Sequence, residues 1–280
     1  MVLTQEFRER MEKTRKIMRS RELEALIAYS NTKLCGHVRY LSNYAVNFAG
    51  YHSIAGNELT IFGNAIIVLP LEGEPVLLTD EDPNLITDSP RARDISYIHD
   101  VRASIEYAKD ICNILEKSGV KSGRIGVEGW KIFPAPIDRE LRLLLPNVEI
   151  ERSTILEEMR MVKSPTEISS IREAVRITDI GAKAAAEAIE EGKTEWDLAI
   201  ACEFAMKKSG AEDLAFTTII GSGVRTALGV PLPTNRKMEK GDLVMIDVGG
   251  KYGGYCGDIT RMKVFGKPSE KQKDLYNVVM

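Results

Sequence analysis

The chain has 280 residues, 44% hydrophobic and 28% charged, with a formal net charge of −3. This balance is that of an ordinary globular protein, and it argues against a partner such as nucleic acid or an anionic membrane surface. The length predicts two domains, and the lack of a signal-like or membrane-length apolar stretch predicts a cytoplasmic protein. Four scattered cysteines predict isolated thiols instead of a disulfide framework.

The first part of the chain alternates short apolar runs with amphipathic stretches. The apolar runs predict strands at 25–29, 65–70, 75–79, 124–128 and 148–150. The amphipathic stretches predict a helix capped by Thr4 and further helices at 105–118 and 137–145. Between them, residues 31–56 are predicted to form a long loop with one short strand at 38–41. This alternation predicts an α/β domain with a mainly parallel or mixed sheet.

A domain boundary is predicted near residues 161–164, so that the chain divides into domains of about 1–158 and 159–280. Ser164 is a predicted helix cap, with Pro165 at the first helical position and Glu167 three residues after the cap. Thr194 is predicted to open a second helix, which carries an apolar stripe and stops near Gly210. A strand at 215–220 follows. Helices placed ahead of an antiparallel sheet predict an α+β domain.

The last predicted feature of this domain is a hairpin that contains two aspartates. Leu243–Val248 and Ile259–Phe265 predict strands, and the glycine-rich segment 249–257 between them predicts a tight turn. If the turn centres on Tyr252 and Gly253, Asp247 and Asp258 lie opposite one another on one face of the sheet. A bulge would shift this pairing by one residue.

Two facing carboxylates repel one another, and burial increases the repulsion. Asp247 lies between Ile246 and Val248, so its strand is predicted to be buried on both faces. Two carboxylates in that setting either share a proton or bind a cation. The alternative is that both are solvated turn residues, or that one of them caps the turn backbone. The residues alone leave these possibilities open.

Three segments together resemble the family of aminopeptidase P, prolidase and creatinase. They are Lys163–Ile168, Gly241–Gly249 and Gly254–Arg261, and the last two contain the Asp-x(10)-Asp hairpin with its Thr-Arg context. The resemblance covers the whole chain. It implies an α/β creatinase/prolidase-type N-terminal domain followed by an α+β pita-bread catalytic domain, which is incomplete in this chain.

The same resemblance implies a site for two divalent metal ions, manganese or cobalt with zinc as a further option. Asp247 and Asp258 match two of the family's five ligands, while the histidine and both glutamates would follow Asp258. No histidine follows His99, so we interpret the sequence as truncated at its C-terminal end. A water that bridges the metals would attack the amide carbon. The catalytic base would lie outside this segment, which therefore contains no identifiable catalytic residue.

The resemblance also assigns roles to several other residues. Thr260 and Arg261 are predicted to support the strand of the second aspartate. His37, Arg39 and Tyr40 match a loop that contacts substrate in family dimers, so we predict a homodimer and a role in substrate binding. Val230 lies about where the family has a histidine that contacts substrate, a departure that bears on peptidase turnover.

Three functions follow from these assignments. The first is a metal-dependent hydrolase of Xaa-Pro peptide bonds, acting on a peptide or small amide substrate. The second is a creatinase-like hydrolase of a non-peptide C–N bond. The third is a relative without catalytic activity that serves as a dimerisation or binding module. Neither nucleic acid nor membrane is an expected partner.

Overall fold

The computed structural model describes residues 2–46, 50–54, 58–80 and 95–279. Its contacts divide the chain into two compact units, Met1–Val162 and Lys163–Met280. This division lies within residues 161–164, where the sequence predicts the boundary, and a few residues after residue 158. Among the described residues, no helix combines the length and the apolar character needed to cross a bilayer.

A six-stranded mixed sheet forms the centre of the first unit, in the order β6-β5-β4-β1-β7-β8. Strand β4 is antiparallel to β1 and β5, whereas β1, β7 and β8 run parallel to one another and β5 runs parallel to β6. Strands β2 and β3 form a separate hairpin. The strands are β1 Leu23–Asn31, β2 Gly50–Ile54, β3 Glu58–Phe62, β4 Asn64–Pro70, β5 Val76–Thr79, β6 Asp100–Ala103, β7 Gly123–Glu128 and β8 Val148–Arg152.

Helices cover both faces of this sheet. Along β1, Ala25, Ile27 and Tyr29 join one apolar cluster, while Leu26 and Ala28 join the other, as the alternation of a strand requires. Helices α3 and α4 pack on the first face, and α1, α2 and α5 pack on the second. The helices are α1 Val2–Ser20, α2 Gly36–Ser42, α3 Tyr107–Lys117, α4 Ala135–Leu144 and α5 Ile155–Met161. The predicted mixed α/β sheet is confirmed.

The strand predicted at 38–41 is wrong, because these residues lie in helix α2. Val38 and Leu41 are three residues apart and both fully buried, so helical spacing places both on the core side. The Ser42 hydroxyl donates to the Val38 carbonyl at 2.7 Å, and Asn43 ends the helix in the left-handed conformation. Packing thus outweighs the β-propensity of this segment.

Two further predictions for the first unit need correction. The first helix begins at Val2, so Thr4 lies inside it and does not cap it. The predicted loop 31–56 contains both α2 and strand β2, which pairs with β3. Residues 47–49 and 55–57 of this region lie outside the described residues.

The second unit packs two long helices against a three-stranded antiparallel sheet in the order β10-β11-β14. A smaller sheet has the order β13-β12-β9. The helices are α6 Pro165–Glu187, α7 Glu195–Lys208 and α8 Glu270–Val279. The strands are β9 Asp213–Leu214, β10 Ile219–Ser222, β11 Leu243–Val248, β12 Gly250–Tyr252, β13 Tyr255–Cys256 and β14 Ile259–Val264, with a 3-10 turn at Gly223–Ala227.

The helix starts in the second unit agree with the sequence prediction. Ser164 caps α6, and its backbone N–H donates to the Glu167 carboxylate at 2.9 Å. Thr194 caps α7 in the same reciprocal way with Asp197. The strand predicted at 215–220 begins later, at Ile219. All four cysteines are free thiols, as predicted, and Cys256 alone among them is exposed.

Candidate metal-binding hairpin

The two aspartates flank a hairpin whose tip is Gly253-Gly254. Both glycines have positive φ, 58° and 84°, and Tyr252 pairs with Tyr255 across them. A two-residue turn of this kind needs positive φ at both central positions, which glycine adopts without strain. The predicted turn centre at Tyr252 and Gly253 is therefore wrong by one residue, because a turn there would place a tyrosine at positive φ.

The corrected turn changes which residue faces Asp247. Asp247 pairs with Thr260 on β14 and with Ile219 on β10, so the predicted pairing with Asp258 is wrong. Asp258 lies two residues before Thr260, and residues two apart on a strand share a face. The register of the sheet thus defines the face of Asp247 and Thr260, whereas Asp258 precedes the first residue of β14. If the alternation of β14 continued back by one residue, Asp258 would be a diagonal neighbour of Asp247 on the same face.

The face that carries the aspartates is the open face of the sheet. On β11, Val244, Ile246 and Val248 are fully buried against the helices, whereas Asp247 on the opposite face is half-buried. Asp258 is exposed. The predicted burial of this strand on both faces is thus wrong, because the described helices of the unit cover one face only.

Neither aspartate is engaged elsewhere in the described chain. Within the described residues their carboxylates accept no hydrogen bond and form no ion pair, and no group of three or more His, Cys, Asp or Glu gathers as a metal site. Three buried or half-buried acids of this unit are paired: Glu167 with Tyr255, Glu195 with Arg225 and Asp242 with Arg236. Two uncommitted oxygen donors on one face fit a hard or borderline divalent cation as a partial ligand set.

Helix α6 holds the hairpin in position. The Gly250 N–H donates to the Thr178 hydroxyl at 2.9 Å, and the Tyr255 hydroxyl donates to Glu167 at 2.7 Å. A Cβ on Gly257 would lie 2.3 Å from the same Thr178 oxygen, so only glycine permits this approach. Glu167 thus serves both the helix cap and the hairpin. The aspartates therefore stand on a braced element, as a functional site requires.

The two residues predicted to support the second aspartate lie on opposite faces. Thr260 is directly across from Asp247 and shares its face. Arg261 pairs with the buried Ile246, so it lies on the helix side of the sheet and donates only to the Thr260 carbonyl among its described hydrogen bonds. Thr260 is therefore placed to act on the aspartate face, whereas Arg261 could support it only through the backbone.

Glu195 is a site residue that the sequence did not indicate. Its fully buried carboxylate accepts hydrogen bonds from Ser222, Arg225 and Thr234, which lie at both ends of the loop that carries Val230. Val230 is 65% exposed on that loop. In the sequence, Glu195 looks like an ordinary acid of a helical first turn. The feature of the sequence that comes nearest to indicating this role is the set of polar and basic residues at 222–236, whose hydrogen-bond donors need an acceptor when they are buried.

The three residues of the predicted substrate-binding loop lie in helix α2 of the first unit. Tyr40 is buried, and the Arg10 guanidinium lies over its ring, 4.2 Å from the ring centroid. The Tyr40 carbonyl accepts a hydrogen bond from Arg10 at 2.9 Å. Arg39 is half-buried. His37 is largely buried beside Glu128. Their predicted contact with substrate stays a prediction.

The open sheet face that carries Asp247 is backed by helices on its other side. Residues 10–162 match the creatinase/prolidase N-terminal domain, and residues 169–280 match metallopeptidase family M24. A Xaa-Pro dipeptidase of Pyrococcus horikoshii is 33% identical over 273 residues, covering 97% of this chain and 68% of that protein. The Xaa-Pro dipeptidase of Pyrococcus furiosus is 44% identical over 126 residues, covering 45% of this chain and 36% of that protein.

Solved structures agree with these matches. The crystal structure of the prolidase from P. horikoshii has a TM-score of 0.78 at 31% identity and covers 97% of this chain and 69% of that chain. The chain belongs to metallopeptidase family M24, with a creatinase/prolidase N-terminal domain ahead of the pita-bread peptidase domain. The predicted family, fold class and enzyme class are confirmed at this level. The chain spans about two thirds of the length of these P. horikoshii relatives.

Proposed function

We propose that the protein is a metal-dependent hydrolase of Xaa-Pro-type peptide bonds, in which Asp247 and Asp258 hold part of a two-metal centre. Family membership supports the hydrolase class, and the relatives named Xaa-Pro dipeptidases support the substrate class. The observation that carries the proposal is that Asp247, on the open face of a braced sheet, and Asp258, directly before the neighbouring strand, have no hydrogen-bond or ion-pair partner among the described residues.

The proposed chemistry assigns a distinct task to each residue of this face. Divalent ions bound at such a site lower the pKa of a bridging water and polarise the carbonyl under attack. Asp247 lies on the central strand between β10 and β14, which fixes its position. Asp258 follows the tight glycine turn, and Thr260 stands across from Asp247, where its hydroxyl can donate to a carboxylate. Carboxylate oxygens favour manganese, and cobalt and zinc are the other options.

The loop around Val230 bears on substrate turnover. Its valine offers no hydrogen bond to a substrate where the family resemblance implies a histidine. The Glu195 carboxylate accepts hydrogen bonds from Arg225 and Thr234, which fixes both ends of this loop. A new side chain at position 230 would therefore extend from an ordered backbone. We therefore propose that this chain binds substrate with one polar contact fewer than relatives that carry the histidine.

Binding of Mn²⁺ tests the proposed metal role directly. We expect Asp247→Asn and Asp258→Asn each to weaken Mn²⁺ binding by tenfold or more, measured by electron paramagnetic resonance of the free ion. Asp274→Asn is the matched control, because Asp274 is an exposed acid on α8. Equal Mn²⁺ affinity in the three variants and the parent chain would remove the proposed metal role.

Activity is tested on the natural gene product, whose intact mass also shows whether residues follow Met280. We expect Mn²⁺- or Co²⁺-dependent hydrolysis of Xaa-Pro dipeptides and none of creatine. We also expect Val230→His to raise the turnover of the dipeptide. Hydrolysis of creatine in preference to the dipeptides would contradict the substrate class, and metal binding without any turnover would contradict the hydrolase.

A homodimer and a cytoplasmic location are further parts of the proposal. They follow from the family resemblance and from the composition, respectively. Analytical ultracentrifugation of the natural gene product checks the first, and fractionation of the source cells checks the second. A monomer at micromolar concentration would contradict the predicted role of the His37, Arg39 and Tyr40 segment in a neighbouring subunit's site.

A further inference from the structure

The first unit contains a buried pair of titratable side chains outside the proposed metal site. His37 lies on α2, and Glu128 ends β7. The Glu128 side chain is fully buried and that of His37 is 12% exposed, with Nε2 of His37 4.0 Å from Oε2 of Glu128. In the described part of the chain, neither of these two facing atoms has a hydrogen-bond partner. Buried polar atoms rarely stay unpaired, so this arrangement requires an explanation.

The other oxygen of Glu128 is fully engaged. Oε1 accepts from the Ser153 hydroxyl at 2.6 Å and from the Leu156 N–H at 3.1 Å. These bonds fasten the end of β7 to the junction of β8 and α5. The carboxyl group is thus held in place, and its free oxygen Oε2 faces the imidazole on α2.

The opposite side of the imidazole faces a backbone acceptor. The Tyr29 carbonyl oxygen and Nδ1 of His37 both flank Gly129, at 2.9 and 3.4 Å from the position of a Cβ there. A carbonyl only accepts, so the nitrogen beside it favours an N–H. A neutral imidazole protonated at Nδ1 has an acceptor at Nε2. That acceptor would face another acceptor, Oε2 of Glu128, unless one proton lies between them.

The charged side chains around His37 and Glu128 lie on helices α5 and α1. On α5, Arg160 disfavours and Glu157 favours a positive charge on the imidazole. The Arg160 guanidinium is packed against Gly36 at the start of α2. On α1, Arg10 donates to the Tyr40 carbonyl towards the other end of α2 and is paired with Glu6.

Burial sets the direction of both titrations. Burial lowers the pKa of His37, and Arg160 lowers it further, against Glu157 and the Tyr29 carbonyl. Burial raises the pKa of Glu128, against the Ser153 hydrogen bond. The lowered pKa of His37 gives stability that is present at higher pH and lost as pH falls. The raised pKa of Glu128 gives stability that is lost as pH rises through the folded-state value.

We propose that the pair of His37 and Glu128 holds one proton in total, on one side chain or the other, and acts as a pH-sensitive latch that holds α2 against the sheet. A second proton leaves a buried imidazolium beside Arg160 without a carboxylate partner. Removal of the shared proton leaves a buried carboxylate facing a second acceptor. Both changes add unpaired charge or repulsion between α2 and β7, so α2 loosens at either end of the pH range.

Amide hydrogen exchange of the full chain tests the latch. We expect the protection factors of α2 to pass through a maximum as the pH is varied. Beyond either titration they should fall about tenfold per pH unit, because one pH unit changes the free energy of protonation by the equivalent of one pKa unit. Protection of α3, on the other face of the sheet, should not follow this profile. Glu128→Gln should abolish the alkaline loss, and His37→Gln should abolish the acid loss. Glu149→Gln, an exposed acid on β8, is the control that keeps both.

Histidine NMR provides the second readout and needs no destabilised variant. The chain has three histidines, so His37→Gln assigns one signal and His99→Gln another. We expect the His37 ring to become charged at lower pH than an ordinary histidine side chain, because burial lowers its pKa. A His37 ring that becomes charged at the pH of an ordinary histidine, or flat protection of α2 across the pH range, would overturn the latch even if Glu128→Gln fails to fold.

Discussion

Replacement of Glu195 by alanine tests how strongly the second unit depends on one buried carboxylate. Glu195 accepts hydrogen bonds from the backbone N–H and hydroxyl of Ser222, from Arg225, and from the backbone N–H and hydroxyl of Thr234. Removing one partner of a buried pair costs about 3–5 kcal/mol, because the donors left behind lose their acceptor. This is a large part of a typical unfolding free energy of about 5–15 kcal/mol.

The two tryptophans allow each unit to be followed separately. Trp130 lies in the first unit and Trp196 in the second, next to Glu195. In a Trp130→Phe background, fluorescence in urea reports the unfolding of the second unit alone. With an m-value on the order of 2 kcal/mol per molar urea, we expect Glu195→Ala to lower the midpoint by about 2 M. In a Trp196→Phe background, the transition of the first unit should stay in place.

Glu187→Ala is the matched control for this experiment. Glu187 is an exposed acid whose contact with Lys183 spans 3.8 Å, and such surface pairs contribute about 0–1 kcal/mol. Its midpoint should therefore shift by less than about 0.5 M on the same m-value. Equal shifts of the urea midpoint for the two variants would refute the central role of the Glu195 network. A shift confined to the unfolding of the first unit, which Trp130 reports, would refute it as well.

Three further outcomes follow from the same structure. Gly257→Ala should destabilise the second unit by about 1–3 kcal/mol in urea unfolding, because its Cβ would clash with Thr178 at 2.3 Å. A thiol reagent at pH 8 should label the exposed Cys256 rapidly and Cys202 only after unfolding, because burial raises the pKa of Cys202 to about 12. Labelling is followed by absorbance, and Cys256→Ser should remove its fast phase. Ser164→Ala should cost about 1 kcal/mol through loss of the α6 cap, whereas Ser164→Thr should cost less in the same unfolding assay.

Local chemistry explains which parts of the fold were predictable from sequence. The start of α6 was predictable because Ser164, Pro165 and Glu167 satisfy helix-end donors whatever the rest of the chain does. The segment 38–41 was not, because its helix depends on tertiary packing of Val38 and Leu41 against β1. Local propensity carries no information about such packing.

The candidate site was predictable in its residues but not in its geometry. Asp247 and Asp258 stand out in sequence, and the structure places Asp247 on the open face of β11 and Asp258 directly before β14. The turn centre differed by one residue because the segment offers several glycines, and only the pair Gly253-Gly254 meets the steric demand of a two-residue turn. Glu195 was hidden because its partners lie tens of residues further along the chain. Burial of such a residue is a property of the folded unit alone.

Any insertion or deletion in the hairpin should change its length by an even number of residues. Each residue added to one arm reverses the side on which every later side chain emerges, whereas two added residues restore it. A single-residue insertion between Asp247 and the tip would therefore turn one carboxylate towards the helices while leaving the other in the open. Homologous hairpins that gain or lose residues here should do so in pairs, and engineered loops grafted at Gly253-Gly254 should keep the same parity to preserve the pairing of Asp247 with Thr260.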